Sequence, residues 1–203
     1  MNIHSVGPMT AVPARADEGD KRSAILAAAL ELFVERGYYG TAVPAVATRA
    51  GVGAGTIYRY FRNKEDLVNE LYRECKGALS THVLVGINPD APPREQFHEL
   101  WTRLADFYRK NPKVFSFLEL HHHASYLDQR SRDMEQRVLD LATSFVLKLQ
   151  AAQVFKPVRA DVLMTIVYWS FVGLGRSEQE GRLVLSDENL AAAEQCVWEA
   201  IRY

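Results

Sequence analysis

The chain has 203 residues, a formal net charge of −1, 48% hydrophobic residues and 24% charged residues, the proportions of an ordinary globular protein rather than of a disordered or membrane-spanning one. No apolar run reaches the roughly 18 residues of a membrane span, and the start of the chain lacks the apolar core of a secretory signal. Cys75 and Cys196 lie far apart without a metal-ligand spacing, so we expect free thiols in a reducing cytoplasm.

The amino-terminal stretch, residues 1–19, contains two prolines and two acidic residues, and we expect a disordered arm. Arms of this kind reach into the DNA minor groove in some DNA-binding proteins. Here only Arg15 precedes Lys21 as a basic residue. The sequence therefore leaves the role of this arm open.

A first helix is predicted between Lys21 and Arg36. Its apolar residues recur every three or four positions and so share one face; they are Ile25, Ala28, Ala29, Leu32 and Phe33. Asp20 is expected to cap the start of this helix and Gly37 to end it.

The next segment, residues 41–64, has a charge balance unlike the rest of the chain. Its sequence is TAVPAVATRAGVGAGTIYRYFRNK, with four basic residues, Arg49, Arg59, Arg62 and Lys64, and no acidic residue. Because the whole chain carries −1, the remainder sums to −5. A local excess of positive charge is the electrostatic signature of nucleic-acid binding.

The same segment also predicts two helices joined by a tight turn. The Thr41 hydroxyl is expected to cap the second helix, whose first turn tolerates Pro44. Gly51 and Gly53 predict the turn, where glycine permits positive φ. A short third helix then runs from about Ala54 to Tyr60, giving a DNA-binding helix-turn-helix.

The third helix combines an apolar anchor with an outward face of small residues and hydrogen-bond donors. Ile57 and Phe61 are expected to point inward. A helix in the major groove needs small residues where its backbone approaches the bases, and donors around them to hold phosphates. Arg59 is the best candidate to read guanine by paired hydrogen bonds. The alternative is that the tyrosines and Ile57 are only the core of a helical bundle.

The remainder of the chain also predicts helices. Asn63 and Asp66 resemble a capping box opening a fourth helix from Lys64 to about residue 83, and the linker GINPDAPP follows at residues 86–93. Five further helices are expected: from the proline pair to Asn111, from Pro112 to about residue 124, around residues 134–149, over residues 162–174, and from Asp187 to Arg202. The predicted fold is all-α, with about nine helices, a helix-turn-helix domain over residues 20–64 and a helical ligand-binding and dimerisation domain over residues 65–203.

These residues resemble the TetR (tetracycline-repressor-like) family of transcriptional regulators. The resemblance is most specific over residues 25–71, in the motifs ALELFVERG and VATRAGVGAGTIYRYFRNKEDL and in the start of the long fourth helix. It implies an all-α homodimer with an amino-terminal three-helix DNA-binding domain and a divergent helical ligand domain.

Carried over by position, the resemblance divides the DNA-binding residues into two groups. The family's phosphate contacts correspond to Thr41, Thr56, Tyr58, Tyr60 and Lys64, whereas Ala54, Gly55 and Arg59 lie where base contacts are made. Two residues depart from the pattern. Pro44 stands early in the second helix, and Gly53, which is also a candidate DNA-binding residue, occupies a place where serine or threonine often caps the third.

The fifth to eighth predicted helices contain more aromatic surface than a plain bundle core needs. A large apolar cavity with a few polar groups is the usual form of a small-molecule site, so we expect a small apolar or aromatic effector, although most of these residues must serve ordinary packing. The candidate ligand residues are Trp101, Leu118, His122, Tyr126, Phe145, Met164, Tyr168 and Trp169.

His121, His122 and His123 suggest a metal site, but consecutive helical residues point about 100° apart and cannot converge on one ion. We therefore expect no metal and no cofactor. One of the three, for example His122 with Tyr126 four residues later, is the better candidate for orienting a ligand.

The eighth and ninth helices are predicted to form a dimer surface, because the eighth is too hydrophobic for the outer layer of a monomer. The candidate interface residues are Val162, Ile166, Gly173, Val197 and Ile201. The alternative is that these two helices form an internal core pair.

Together these patterns predict a cytoplasmic, ligand-responsive transcriptional regulator, most simply a repressor that binds a near-palindromic double-stranded operator as a homodimer and is released by its effector. Two alternatives belong to other classes. An enzyme is disfavoured because the chain has no nucleophile–base set, glycine-rich phosphate loop or metal spacing. A non-specific architectural DNA binder is disfavoured by the acidic balance of the whole chain.

Overall fold

The computed structural model describes residues 16–121 and 125–203, with side chains from residue 19 onward. These residues form nine α-helices and no β-strand, which confirms the predicted all-α fold. The helices are α1 (Ala16–Gly40), α2 (Val43–Arg49), α3 (Ala54–Tyr60), α4 (Lys64–Leu84), α5 (Pro93–Lys110), α6 (Pro112–Leu120), α7 (Gln129–Ala151), α8 (Ala160–Gln179) and α9 (Asp187–Ile201). None of the helices in these ranges is long and apolar enough to cross a membrane.

The first helix starts earlier than predicted. It begins at Ala16 rather than after Asp20, so residues 16–19 of the expected arm are helical. The rest of that arm, residues 1–15, lies outside the described residues. Gly37 interrupts the helix as predicted, because its φ of +66° and ψ of 178° leave the helical region. A left-handed φ is favourable for glycine, which has no Cβ.

The boundaries around the sixth and seventh helices also differ from prediction. α6 ends at Leu120, with His121 as its C-cap, rather than near residue 124. α7 begins at Gln129, five residues before its first expected apolar position, because the Asp128 carboxylate accepts a 2.8 Å hydrogen bond from the Ser131 amide. An N-cap of this kind satisfies an amide that has no partner inside the helix.

The chain divides into two compact units, one ending at Leu67 and the other covering Val68–Tyr203. In the first unit, α1, α2 and α3 enclose a core of aliphatic side chains and two phenylalanines. Its most buried residues are Ile25, Ala29, Leu32, Phe33, Val46, Ile57, Phe61 and Leu67. Burying each large apolar side chain contributes roughly 1.5–3 kcal/mol, so this core accounts for most of what holds the three short helices together.

The second unit is built around an aromatic cluster shared by α5, α6 and α8. The rings of Trp101, Tyr108 and Phe115 pack edge-on against Phe171 or against each other at centroid distances of 5.2–6.1 Å, a favourable geometry for aromatic pairs. The polar atoms are also satisfied. Trp101 Nε1 donates to the Leu190 carbonyl at 3.1 Å, and the Tyr108 hydroxyl donates to the carbonyl of Gly175 at 3.0 Å.

The contact between Tyr108 and α8 predicts the effect of one substitution. A Cβ at Gly175 would lie 3.0 Å from Tyr108 Cε2, and the buried ring cannot move aside. We expect Gly175→Ala to destabilise the fold by about 1–2 kcal/mol, since overpacking outweighs the helix preference of alanine. Urea unfolding followed by circular dichroism measures this change.

Gly19→Ala is the matched control, because a Cβ at this exposed position of α1 meets nothing within 4 Å. We expect it to leave stability unchanged or to raise it by up to about 1 kcal/mol. Equal effects of the two substitutions would contradict the packing described for Tyr108.

Candidate nucleic-acid interface

The turn between α2 and α3 is held by main-chain hydrogen bonds and one left-handed glycine. The Val52 amide donates to the Ala47 carbonyl at 3.0 Å, and Gly51 has a φ of +67°, which confirms its predicted role. Gly53 differs from prediction, because its φ of −68° and ψ of 146° are extended backbone that any residue adopts. Gly53 is the exposed N-cap of α3 and supplies no side-chain cap.

Thr41 lies inside the first unit rather than on its surface. Its side chain is 2% exposed, and its hydroxyl lies 3.0 Å from the Leu32 carbonyl and 2.8 Å from the Gly37 carbonyl. The prediction that it caps α2 is wrong, since Ala42 is the N-cap and no side chain caps that helix. The hydroxyl joins the start of α2 to α1, and in this position it is not available to a phosphate.

The outward face of α3 matches the predicted pattern of small and donor residues. Ile57 is buried, whereas Ala54, Gly55 and Arg59 are exposed. A Cβ at Gly55 would meet nothing within 4 Å, so the backbone there is open to close approach. Tyr58 is 56% exposed, and Thr56 is half-buried beside it.

Tyr60 is placed differently from its predicted phosphate-contacting role. Its hydroxyl oxygen is buried and has no hydrogen-bond partner among the described residues. The ring instead packs beside Phe61, with the centroids 6.4 Å apart. Helical spacing places Tyr60 close to the edge of the outward face, and only packing decides on which side its hydroxyl lies.

Lys64, at the start of α4, contacts an aromatic ring. Its ammonium nitrogen lies 4.2 Å from the ring centroid of Tyr38, within the range of a cation–π interaction. Partial burial lowers the pKa of Lys64 below its ordinary value. The next residue after Tyr38, Tyr39, is 83% exposed and packs edge-on to Tyr38 at 5.2 Å. Tyr39 has no periodic signal in the sequence, because it follows the break at Gly37.

The basic charge of the segment is partly balanced by acids outside it. Arg49 Nη1 lies 2.9 Å from Glu31 and 3.2 Å from Glu35, both on α1, and Arg62 lies 2.9 Å from Asp66. The predicted excess of four positive charges is therefore reduced locally, because its compensating carboxylates lie just before and after the segment. Exposed ion pairs of this kind contribute at most about 1 kcal/mol each.

The predicted capping of α4 is confirmed with one difference. Asn63 Oδ1 accepts the Asp66 amide at 2.8 Å. The Asp66 carboxylate reaches back to the Arg62 amide at 3.0 Å, one residue before the position used in a capping box. Together these bonds fix the chain between α3 and α4.

The described members of the predicted ligand set differ in their burial and contacts. Trp101 and Leu118 are core residues, and Phe145 and Met164 pack partly buried at the edge of that core. Tyr126 pairs its hydroxyl with His121 Nδ1. The surface of the described residues includes a cavity of about 340 Å³ along α7 and one of about 570 Å³ between α1 and α2. Neither is lined by the predicted ligand residues that the structure describes.

Of the three consecutive histidines considered for metal or ligand binding, the structure describes His121. His121 is buried beside Phe117, with ring centroids 4.4 Å apart. His122 and His123 lie outside the described residues. Among the residues that are described, no group of three His, Cys, Asp or Glu side chains could hold a metal ion.

Sequence reasoning missed a set of buried polar residues between α4 and α7. Tyr72, Lys76 and Glu135 have little exposure, and Lys76 Nζ lies 3.7 Å from Glu135 Oε1. The only sequence signal was the spacing of four between Tyr72 and Lys76, which places both on one face of α4.

The predicted dimer residues separate into two groups. Val162, Ile166 and Gly173 are exposed along one face of α8, where Trp169, predicted as a ligand residue, is also exposed. Val197 and Ile201 are buried in the core of the second unit, so their predicted interface role is wrong. The apolar stripe of α9 faces inward because the aromatic cluster occupies that side.

The comparisons with known proteins agree with this arrangement. Residues 25–71 match the family model for bacterial regulatory proteins of the tetR family, and residues 72–203 match that for the tetracyclin repressor-like C-terminal domain. A solved structure of a TetR family protein from Vibrio parahaemolyticus is 29% identical, covers 90% of this chain and 99% of its own, and superposes with a TM-score of 0.74.

Two curated relatives match over shorter stretches. The uncharacterized HTH-type transcriptional regulator YhgD of Bacillus subtilis is 33% identical over 88 residues, 43% of this chain and 46% of the relative. The HTH-type transcriptional repressor KstR2 of Mycobacterium tuberculosis is 30% identical over 115 residues, 55% of this chain and 52% of the relative. The chain therefore spans about half the length of these two relatives.

The buried hydroxyl of Thr41 allows a direct test of the first unit. We expect Thr41→Val to destabilise the protein by about 1–2 kcal/mol, because it leaves buried carbonyls of α1 without their donor. Thermal unfolding measures the change.

Thr48→Val provides the isosteric control, since the Thr48 hydroxyl is exposed and bonds only to the Pro44 carbonyl in its own helix. Its effect should stay within about 0.5 kcal/mol. If Thr41→Val were equally neutral, the hydroxyl would not hold α2 against α1.

Proposed function

Because the chain belongs to the TetR family of bacterial regulatory proteins, we propose that it is a homodimeric transcriptional repressor that binds a near-palindromic operator and is released by a small effector. The family consists of DNA-binding regulators rather than enzymes. The observation that carries the proposal is the outward face of α3, where Ala54, Gly55 and Arg59 are exposed beside a buried anchor.

This face has the properties that a major-groove helix requires. Small residues let the backbone approach the base edges, and the Ala54 methyl suits contact with a thymine methyl. Arg59 has five donors in a planar fork, which matches the two acceptors of guanine in the major groove. Base reading is therefore assigned to these residues.

The phosphate contacts surround this face. Tyr58 and Thr56 on α3 and Lys64 at the start of α4 are the candidates whose side chains are at least partly exposed. Tyr39 is added to them because it is 83% exposed and packs against Tyr38, the ring that the Lys64 ammonium contacts. Contacts to phosphates fix the register of the helix on the duplex without reading sequence.

Dimerisation is supported by the outer face of α8. Val162, Ile166, Trp169 and Gly173 follow each other at spacings of four, three and four, so they form one stripe along the helix. Exposed apolar stripes of this kind are typical of interfaces. A two-fold dimer would place two copies of α3 on half-sites about 34–36 Å apart, which requires a near-palindromic operator.

Repression and effector release are supported by the name of one relative and by half-buried side chains of the second unit. The name of KstR2 describes a repressor, and the second unit offers half-buried Tyr126, Met164 and Tyr168 as ligand-contacting residues. An effector releases DNA only by binding one conformer of the protein more tightly than the other. We assign this selection to the second unit, whose helix α4 continues from the first.

The division of labour between Arg59 and Lys64 can be tested on a duplex selected from a random pool. We expect Arg59→Ala to weaken binding by about 1–3 kcal/mol and to relax preference at one base pair. Lys64→Ala should instead weaken binding to all sequences alike and lower the salt slope by about one. Gel-shift titrations at several salt concentrations measure both.

Arg159→Ala is the control, since Arg159 is exposed in the second unit and pairs with Asp161 at 2.6 Å. It should leave DNA affinity unchanged. The assignment of the reading face fails if Arg59→Ala and Lys64→Ala both behave like this control.

The α8 stripe predicts the oligomeric state. We expect the wild type to sediment as a dimer and Ile166→Glu to sediment as a monomer, because the substitution buries an unpaired carboxylate in the interface. Leu141→Glu, at an exposed site on α7, should remain a dimer. A monomeric wild type at micromolar concentration, or a dimeric Ile166→Glu, would refute this interface.

A further inference from the structure

The amino group of Lys76 is nearly buried between α4 and α7. The Lys76 side chain is 14% exposed and that of Glu135 is 7% exposed. Tyr72 lies one turn before Lys76 on the same face of α4 and is buried. These three residues form a polar set inside the second unit, here called the Lys76 site.

The ammonium of Lys76 has few partners for its three N–H donors. Among the described residues its partner is Glu135 Oε1, at 3.7 Å. A hydrogen bond between an ammonium and a carboxylate is normally 2.7–2.9 Å long. Among the described residues, the hydrogen-bonding capacity of Lys76 is therefore incompletely used, and its side chain is still 14% exposed, so the ammonium can be reached from solvent.

Other buried charges of the same unit are much better satisfied. Arg73 lies 2.6 Å from Glu70, 3.0 Å from both oxygens of Asp128 and 2.9 Å from the Ser131 hydroxyl. The buried Glu194 carboxylate has Arg94 and His98 as partners, with His98 Nδ1 at 2.8 Å. Compared with Arg73 and Glu194, Lys76 is therefore incompletely paired among the described residues.

The unused capacity belongs to the cation and not to the anion. Glu135 has a second partner in the Tyr72 hydroxyl, and burial together with this carboxylate raises the pKa of Tyr72. Burial lowers the pKa of Lys76 below its ordinary value, although the nearby Glu135 carboxylate acts in the opposite direction and raises it. A second negative group beside Lys76 would favour its charged form, whereas a cationic ligand would have to compete with Lys76 for Glu135.

The surroundings of the site suit an apolar ligand body. Tyr168 on α8 is half-buried, and burial together with the carboxylates of Glu119 and Glu135 raises its pKa to about 12. Met164, one turn earlier on the same helix, is half-buried. On α7, Met134 Cε lies 3.3 Å from the position of a Cβ on Gly77. Flexible methionine side chains adapt readily to an inserted apolar group.

We propose that Lys76 binds the anionic group of the effector, which is therefore an organic acid with an apolar body, its carboxylate accepting hydrogen bonds from the Lys76 ammonium. This inference rests on the proposed effector response and adds the chemical class of the effector. It also adds Lys76 to the ligand-contacting residues, with Glu135 as the carboxylate that competes with the effector for the Lys76 ammonium. A purely structural ion pair would not require the incomplete pairing seen here, because apolar residues of similar volume commonly replace buried pairs without loss of stability.

The test is a thermal-shift titration of the full chain, without DNA, using sodium octanoate and its neutral counterpart octanamide. We expect octanoate to raise the unfolding temperature and octanamide to have little effect at equal concentration. Lys76→Met should weaken octanoate binding on the order of tenfold or more, because a hydrogen bond to a charged group is lost. Lys148→Met, on the exposed side of α7, should bind octanoate like the wild type.

Glu135→Gln supplies a readout that a merely structural pair would not produce. Removing the competing carboxylate should tighten octanoate binding, and this variant also serves if Lys76→Met does not fold. The proposal is overturned if octanamide matches octanoate, if octanoate causes no shift, or if Glu135→Gln binds octanoate no more tightly than the wild type.

The outcomes also separate this inference from the proposed function. Selection from a random DNA pool tests DNA binding independently. A chain that selects a duplex but ignores octanoate retains the proposed function and loses the inference. If octanoate binds through Lys76 and no duplex is selected, the organic-acid site stands and the proposed function fails.

Discussion

The burial of Ile57 and Phe61 is the interaction on which the candidate interface depends. Seven residues, Ala54–Tyr60, form α3, and a helix of two turns is not stable alone in water. Its geometry therefore comes from the core of the first unit, where both side chains are 1% exposed. Since these two residues fix the rotation of the helix about its axis, they also determine that Arg59 and Gly55 face outward. Thr41 also stabilises this arrangement, because its hydroxyl holds the start of α2 against α1.

The positions of the basic residues in the candidate interface matter more than the net charge of the chain. Arg49 and Arg62 are paired with carboxylates of Glu35 and Asp66, and the whole chain carries −1. A protein with this balance gains little from general attraction to the phosphate backbone. In the proposed function, discrimination between DNA sequences therefore comes mainly from the few groups on the outward face of α3, as sequence-specific binding rather than the architectural alternative requires.

Most of the buried polar side chains considered in the second unit have hydrogen-bond partners. Trp101, Tyr108 and Arg73 each have hydrogen-bond acceptors at 2.6–3.1 Å, as a buried donor requires. Lys76 departs from this pattern, because its partner, Glu135 Oε1, lies 3.7 Å away. The same unit thus contains an apolar cluster and an incompletely paired cation. That combination supports the proposal of an amphiphilic effector, where the aromatic content alone predicted a small apolar or aromatic one.

The sequence by itself determined the all-α fold, the bounds of α3 and the family, because these depend on helical periodicity, turn residues and a local motif that needs no distant partner. It also located the outward residues of α3, since Ile57 and Phe61 define the opposite side. The tertiary structure alone decided the surroundings of five residues, which are Thr41, Tyr60, Val197, Ile201 and Lys76. A periodic pattern reports that a residue is apolar or polar, but not which neighbour it meets. Thr41 meets carbonyls of α1, Ile201 meets the aromatic cluster, and Lys76 meets Glu135, 59 positions later in the chain.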